Sequence, residues 1–125
     1  MDQIADLLVR IKNASTVSKF EISTSHSKVK EAILEILKAE GFISNFEVTE
    51  DEQKKNLKIE VSRTKTPTHL RQLSKAGKKV YVKSKEIPRP LRGLGTVIVS
   101  TSKGITTGKN ATKTGLGGEL ICEIW

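Results

Sequence analysis

Ile4, Leu7, Leu8 and Ile11 recur at the three- and four-residue spacing that lines one face of a helix. The pattern predicts a first helix that starts at Asp2 and ends near Ala14. At its start the Asp2 carboxylate can cap free N–H groups and meet the positive end of the helix dipole. Val29, Ile33, Ile36 and Leu37 repeat the spacing, and Gly41 supplies the stop of this second amphipathic helix. Between them, residues 15–27 are rich in Ser and Thr, with a short strand expected around 20–22. Past Gly41 the period shortens: residues 42–48 and 57–61 read as strands, and the charged residues 49–56 as their turn. Two helices and a small sheet make an α/β N-terminal half that ends at about Arg63.

The polar connector Thr64-Lys65-Thr66-Pro67-Thr68 opens a different pattern. Residues 79–83 alternate as a strand, and residues 96–99 form an apolar strand leading into Ser100-Thr101-Ser102. Residues 121–125 close the chain as a last strand. Residues 106–113 have the length of a short helix, but Gly108, Asn110 and Thr112 are poor helix formers, and the pattern leaves this segment open. The expected class is α+β, an α/β part followed by a mainly β part.

Charge separates the two halves further. The chain has 125 residues and a formal charge of +8, an excess that calls for a polyanionic partner. Residues 1–62 hold 9 Lys and Arg against 11 Asp and Glu, net −2, whereas residues 63–125 hold 13 against 3, net +10. Polyanion binding is therefore expected in the second half, with the first serving as scaffold or protein contact. The acidic run Glu50-Asp51-Glu52 would itself repel phosphate. A lone Cys122 forms no internal disulfide, and with only His26 and His69 beside it there is no set of zinc ligands. No apolar run approaches the roughly 20 residues that cross a bilayer. The expectation is a cytoplasmic protein in a reducing compartment, with no removable signal, no membrane and no cofactor.

Candidate chemistry gathers near the end of the chain. Ser100, Thr101, Ser102, Lys103 and Gly104 combine hydroxyls, a cation and a glycine, and Lys113-Thr114-Gly115-Leu116-Gly117-Gly118-Glu119-Leu120 adds further glycines. Hydroxyls can donate to and accept from ribose 2′-OH groups, and glycine lets backbone approach a sugar-phosphate surface closely. By residue type alone, Ser100-Thr101-Ser102 serves equally well as a turn that satisfies its own backbone. Gly118 is the glycine expected near RNA. Glu119, repelled by phosphate if exposed, is expected to hold the Ser-Thr-Ser loop through hydrogen bonds, the alternative being a solvent-facing strand residue. Tyr81 stands among Lys78, Lys79, Lys83 and Lys85, where a ring can stack on a base, although a half-buried core position has the greater weight. Arg71, Lys75, Arg89 and Arg92 contribute collectively to a positive field.

Catalytic patterns fail on spacing. Gly104-Ile105-Thr106-Thr107-Gly108-Lys109-Asn110 has three residues between its glycines where a phosphate loop needs four, and Asn110 replaces the Ser or Thr that would meet magnesium. Gly115-Leu116-Gly117 lacks the third glycine of a dinucleotide turn, and neither His falls in a nucleophilic arrangement. The chain reads as a non-enzyme without a small-molecule substrate.

Four stretches in register carry a family resemblance: residues 2–14, Glu40-Gly41-Phe42-Ile43, Glu86-Ile87-Pro88-Arg89 with Gly93-Leu94-Gly95, and the C-terminal hydroxyl and glycine segments. Together they resemble the S-eight family of bacterial-type small-subunit ribosomal proteins over essentially the whole chain. That resemblance implies two small domains, 1–63 and 64–125, and a primary binder of the 16S rRNA central domain. It implies recognition of an irregular stem through its minor groove and backbone, help in subunit assembly, neighbouring ribosomal proteins as partners, and repression through a similar structure in its own operon messenger RNA. The resemblance places the family's RNA-contacting loop at Ser100, Thr101 and Ser102; with the residues singled out by their chemistry, the expected RNA-binding set is Ser100, Thr101, Ser102, Lys103, Gly104, Gly118, Glu119, Tyr81, Lys83 and Lys75. Departures from the family pattern are Ala76 where proline is common, Ser23-Thr24-Ser25 in place of a proline-containing stretch, and Gly108, Asn110 and Thr112 where charged helix formers are usual. The alternative function is a basic module that binds nucleic acid or protein nonspecifically.

Overall fold

A computed structural model describes residues 3–125, with the backbone alone at Ser15. The cap expected of Asp2 lies outside the described residues. The chain divides into two compact units, Gln3–Pro67 and Thr68–Trp125. The connector explains where the division falls. Ser62 Oγ accepts from the Thr64 and Lys65 N–H groups, and Lys65 Nζ reaches Glu40 O at 2.6 Å and lies 4.5 Å above the Phe42 ring. Thr68, by contrast, donates its N–H to Trp125 O at 2.8 Å.

In the first unit, α1 (Gln3–Thr16) and α2 (Lys28–Ala39) accompany a sheet of order β1-β3-β2, with β1 at Glu21–Ser25, β2 at Ile43–Asp51 and β3 at Lys54–Val61. Of the apolar stripes inferred for both helices, Leu7, Leu8, Ile11, Ile33 and Leu37 are buried, Ile4 and Ile36 are half-buried and Val29 is exposed at the start of α2; Leu34, outside the inferred stripe, is buried with them, as are Leu57, Ile59 and Val61 on β3. Ser27 caps α2 through the Lys30 N–H, and Gly41 follows its end with φ 88°, the left-handed conformation expected of a helix stop. Lys30 is 2% exposed and directs Nζ to the Thr24 hydroxyl, Ser25 O and Ser25 Oγ at 3.1–3.2 Å.

The charged residues 49–56 are not a turn. β2 and β3 continue through them and reverse only at Glu52 and Gln53, at φ 43° and 72°. Positive φ at both central residues matches the right-handed strand twist. Glu47, Glu50 and Asp51 stand opposite Lys58, Lys55 and Lys54 in the hairpin register, so a run that looks like loop is a strand pair with complementary charge across it, although Lys58 Nζ makes its ion pair with Glu21 on β1, at 3.2 Å.

In the second unit β8 (Gly118–Ile124) is central. On one side it pairs with β6 (Thr96–Thr101), which pairs in turn with β7 (Gly104–Thr107); on the other side it pairs with β4 (Leu70–Gln72) and β5 (Tyr81–Val82). β4 and β7 have too few apolar residues to announce themselves, and β8 begins earlier than the apolar 121–125 pattern indicates. α3 spans Gly108–Thr114 despite its poor formers. Thr107 Oγ1 caps the Asn110 N–H, Gly115 ends the helix at φ 73°, and Gly108 allows close packing: a Cβ there would lie 2.9 Å from Ile87 and 3.3 Å from Val97. Ala111 joins Ile87, Val97, Val99 and Leu120 in the core, so packing outweighs intrinsic propensity.

Candidate nucleic-acid interface

Four strands end together. β5 finishes at Val82, β8 starts at Gly118, β6 finishes at Thr101 and β7 starts at Gly104, and these residues face one another as the last row of the sheet. The row before it is Tyr81, Glu119, Ser100 and Ile105. Facing residues on neighbouring strands share a side of the sheet, and successive rows alternate sides. Tyr81, Glu119 and Ser100 therefore project together, while Val82 packs against the core on the other side. Ser102 and Lys103 form the turn just beyond this end, and Lys83 follows Val82 at the same end. The topology thus gathers residues separated by nearly forty positions in sequence. Lys75 is not in these rows. It lies in a tight reversal closed by reciprocal Lys75 and Lys78 backbone bonds of 3.0 Å.

The hydroxyl segment is a two-residue hairpin turn with Ser100 and Thr101 inside β6, rather than a loop. Thr101 holds it: its hydroxyl donates to Gly104 O at 2.7 Å and accepts from the Lys103 N–H at 3.2 Å. That hydroxyl satisfies local backbone, whereas the Ser102 side chain is exposed and enters no hydrogen bond among the described residues. Gly104 takes φ 117°, a conformation L side chains rarely adopt, and has open space around it.

Gly118 and Gly117 have reasons internal to the fold. A Cβ on Gly118 would collide with Ser100 O, and one on Gly117 with Val82 O and, at 2.8 Å, Lys83 Cα. The close approach that glycine permits here is between strands. Glu119 also differs from expectation: its partly shielded carboxylate lies 3.5 Å from Lys79 Nζ, while Thr101 and not Glu119 secures the hydroxyl turn. Tyr81 is 69% exposed, which removes the half-buried core position, and its ring is open to stacking. The rows contain one carboxylate, and Lys79 sits beside it.

Two residues outside the expected set shape the site. Lys79 pairs with Glu119, and Ser74, 6% exposed, binds the Val80 N–H at 2.8 Å through its hydroxyl, pinning the base of the lysine-bearing reversal. The sequence shows Lys79 only as one of the lysines around Tyr81, its pairing with Glu119 being a tertiary contact, and a serine before a lysine turn carries no signal for the second. Burial pushes the Cys122 thiol up to about 12, the neighbouring Glu123 carboxylate adding to the shift, so this cysteine is neither a nucleophile nor a ready metal ligand. Among the described residues no three acidic, His or Cys side chains cluster as metal ligands, and no helix is long and apolar enough to cross a membrane.

The model of the family described as ribosomal protein S8 matches residues 2–125. The small ribosomal subunit protein uS8 of Desulforamulus reducens is 48% identical over 128 residues, covering 99% of this chain and 97% of the relative. The protein of the same name from Dictyoglomus thermophilum is 48% identical over 127 residues, with coverage of 99% and 97%. That of Thermus thermophilus is 46% identical over 135 residues, with coverage of 99% and 98%. The family is structural and non-enzymatic, in keeping with the failed catalytic patterns. From its sequence over nearly its full length, the chain belongs to the ribosomal protein S8 family of the small ribosomal subunit.

Proposed function

We propose that the chain binds structured ribosomal RNA through the sheet end formed by β5, β8, β6 and β7, with an irregular stem of the 16S rRNA central domain as target, and that this contact aids subunit assembly. The observation that carries the reading is the convergence of the exposed Ser102 hydroxyl, the exposed Tyr81 ring, Lys83 and Lys103 around one sheet end. Ser102 and nearby backbone groups address 2′-hydroxyls and base edges in a minor groove, Tyr81 stacks on an unpaired base, and Lys83 and Lys103 meet phosphates. Glu119, beside Lys79, adds little net repulsion and orients a cation at the rim. Lys75 supplies long-range attraction from its separate turn. A messenger RNA stem of the same shape, including one from its own operon, would engage the same residues.

The first unit has the complementary part in this reading. Its net −2 charge over residues 1–62 disfavours RNA, and its structured surface serves contact with a neighbouring ribosomal protein. Crosslinking of the full-length chain on ribosomal RNA is expected to place most RNA contacts in residues 64–125. A majority within residues 1–62 would refute this division of labour.

A further inference from the structure

Most of the chain's leucines are withdrawn at least partly from solvent, but two are not. Leu7, Leu8, Leu34, Leu37 and Leu57 are at most 1% exposed and Leu120 is 5% exposed, yet Leu94 is 87% exposed and Leu91 49%. Both sit on the segment Arg89-Pro90-Leu91-Arg92-Gly93-Leu94-Gly95, between the core residue Ile87 and β6. Leu91 (φ 52°, ψ 40°), Arg92 (φ 56°, ψ 35°) and Gly93 (φ 93°) are three successive residues at positive φ. For the first two, a side chain makes this left-handed conformation costly.

The segment is held in that shape. Leu94 donates its N–H to Leu91 O at 3.1 Å, and Gly95 to Pro90 O at 3.0 Å. Gly95 is buried because Pro90 and Trp125 converge on it: a Cβ there would stand 2.9 Å from Pro90 Cγ and 3.0 Å from the Trp125 ring. Trp125 is braced in turn by stacking on His69, centroids 3.9 Å apart and planes 10° apart. The result is a knuckle on a rigid base. Its ordering is already complete, so a partner need not supply that cost.

We propose that this knuckle is a protein-docking element that seats Leu94 and Leu91 in an apolar pocket with a carboxylate rim on another protein of the small ribosomal subunit. Arg89 and Arg92 are both exposed, and no Asp or Glu lies between Glu86 and Glu119, so the knuckle carries only positive charge toward its partner. That charge sets the acidic rim. The leucines decide between protein and RNA. They offer neither hydrogen bonds nor a π face to a sugar-phosphate groove, whereas an apolar pocket gains from burying them.

The test uses the full chain in reconstituted small subunits. A photo-crosslinking benzoylphenylalanine in place of Leu94 is expected to react with a subunit protein, at a surface bearing Asp or Glu around apolar residues. Leu94→Ser, competing equally against the parent chain during reconstitution, is expected to lose incorporation by about tenfold while keeping its thermal midpoint and its affinity for naked RNA. Leu91→Gly, which relieves the left-handed backbone, is expected to hold or raise the thermal midpoint and still lower incorporation. Crosslinks to RNA, no crosslink, or undiminished incorporation of Leu94→Ser and Leu91→Gly would overturn the proposal. Loss of affinity for naked RNA by Leu94→Ser would do so as well, whereas failure of the sheet-end reading would show instead in the Ser102 and Lys103 variants.

Discussion

Ser102→Ala separates a recognition group from the scaffold that carries it. The turn is secured by the Thr101 hydroxyl through bonds of 2.7 and 3.2 Å, and the exposed Ser102 side chain takes no part in it. Its removal should therefore change stability by no more than about 0.5 kcal/mol and the thermal midpoint by about 2 °C. On RNA, loss of one net hydrogen bond of about 1 kcal/mol weakens the cognate stem about fivefold. No charge changes, so the dependence of affinity on salt should keep its slope. Lys103→Gln should behave in the opposite way, weakening cognate and unrelated RNA together and reducing the salt slope by about one phosphate contact. The assay is fluorescence anisotropy titration of a 16S central-domain stem and an unrelated duplex over a salt series, with thermal unfolding of each variant beside it. Equal weakening of Ser102→Ala on both RNAs, or unchanged affinity for the cognate stem, would refute a specific role for Ser102 and favour nonspecific basic attachment.

Thr101→Val, which keeps the shape and removes both turn bonds, should destabilise the β6-β7 hairpin by roughly 1–2 kcal/mol in denaturant unfolding; an unchanged midpoint would show that the turn is held by its backbone alone. Gly118→Ala should cost about 2–3 kcal/mol or more through collision with Ser100 O, so its loss of RNA binding would accompany a fall in thermal midpoint, and a fully stable variant would contradict the strand geometry. Replacing Glu52 and Gln53 together by Asn and Gly should stabilise the first unit by about 1 kcal/mol, since both positions have positive φ; destabilisation in urea would count against that turn conformation. Cys122, raised from 9.0 to about 12 in the fold, favours the folded chain fully below pH 9, and this contribution should fade as pH rises from 9 toward 12. Alkylation at pH 8 should be slow in the native chain and fast in denaturant, and equal rates would mean the thiol is not buried.

The amphipathic helices and the alternating strand 57–61 were legible because each carries its own period, 3.6 or 2, and the strand before Ser100 because it is a short unbroken apolar run, Val97-Ile98-Val99, buried throughout. The split of charge between halves was legible for a similar reason, since it needs only counting. Tertiary structure decided what local pattern could not. Residues 49–56 became strands because the antiparallel pairing of β2 with β3 continues out to Asp51 and Lys54, a register invisible along one strand. Gly108 sits in a helix because Ile87 and Val97 occupy the space of its missing side chain. The sheet end brings Tyr81, Glu119, Ser100 and Ser102 together only through the register of β8 with two different strands, and that register gives Gly118 to Ser100 and Glu119 to Lys79. Residue type shows which groups have the chemistry to meet RNA; the pairing of distant strands determines which remain free to use it.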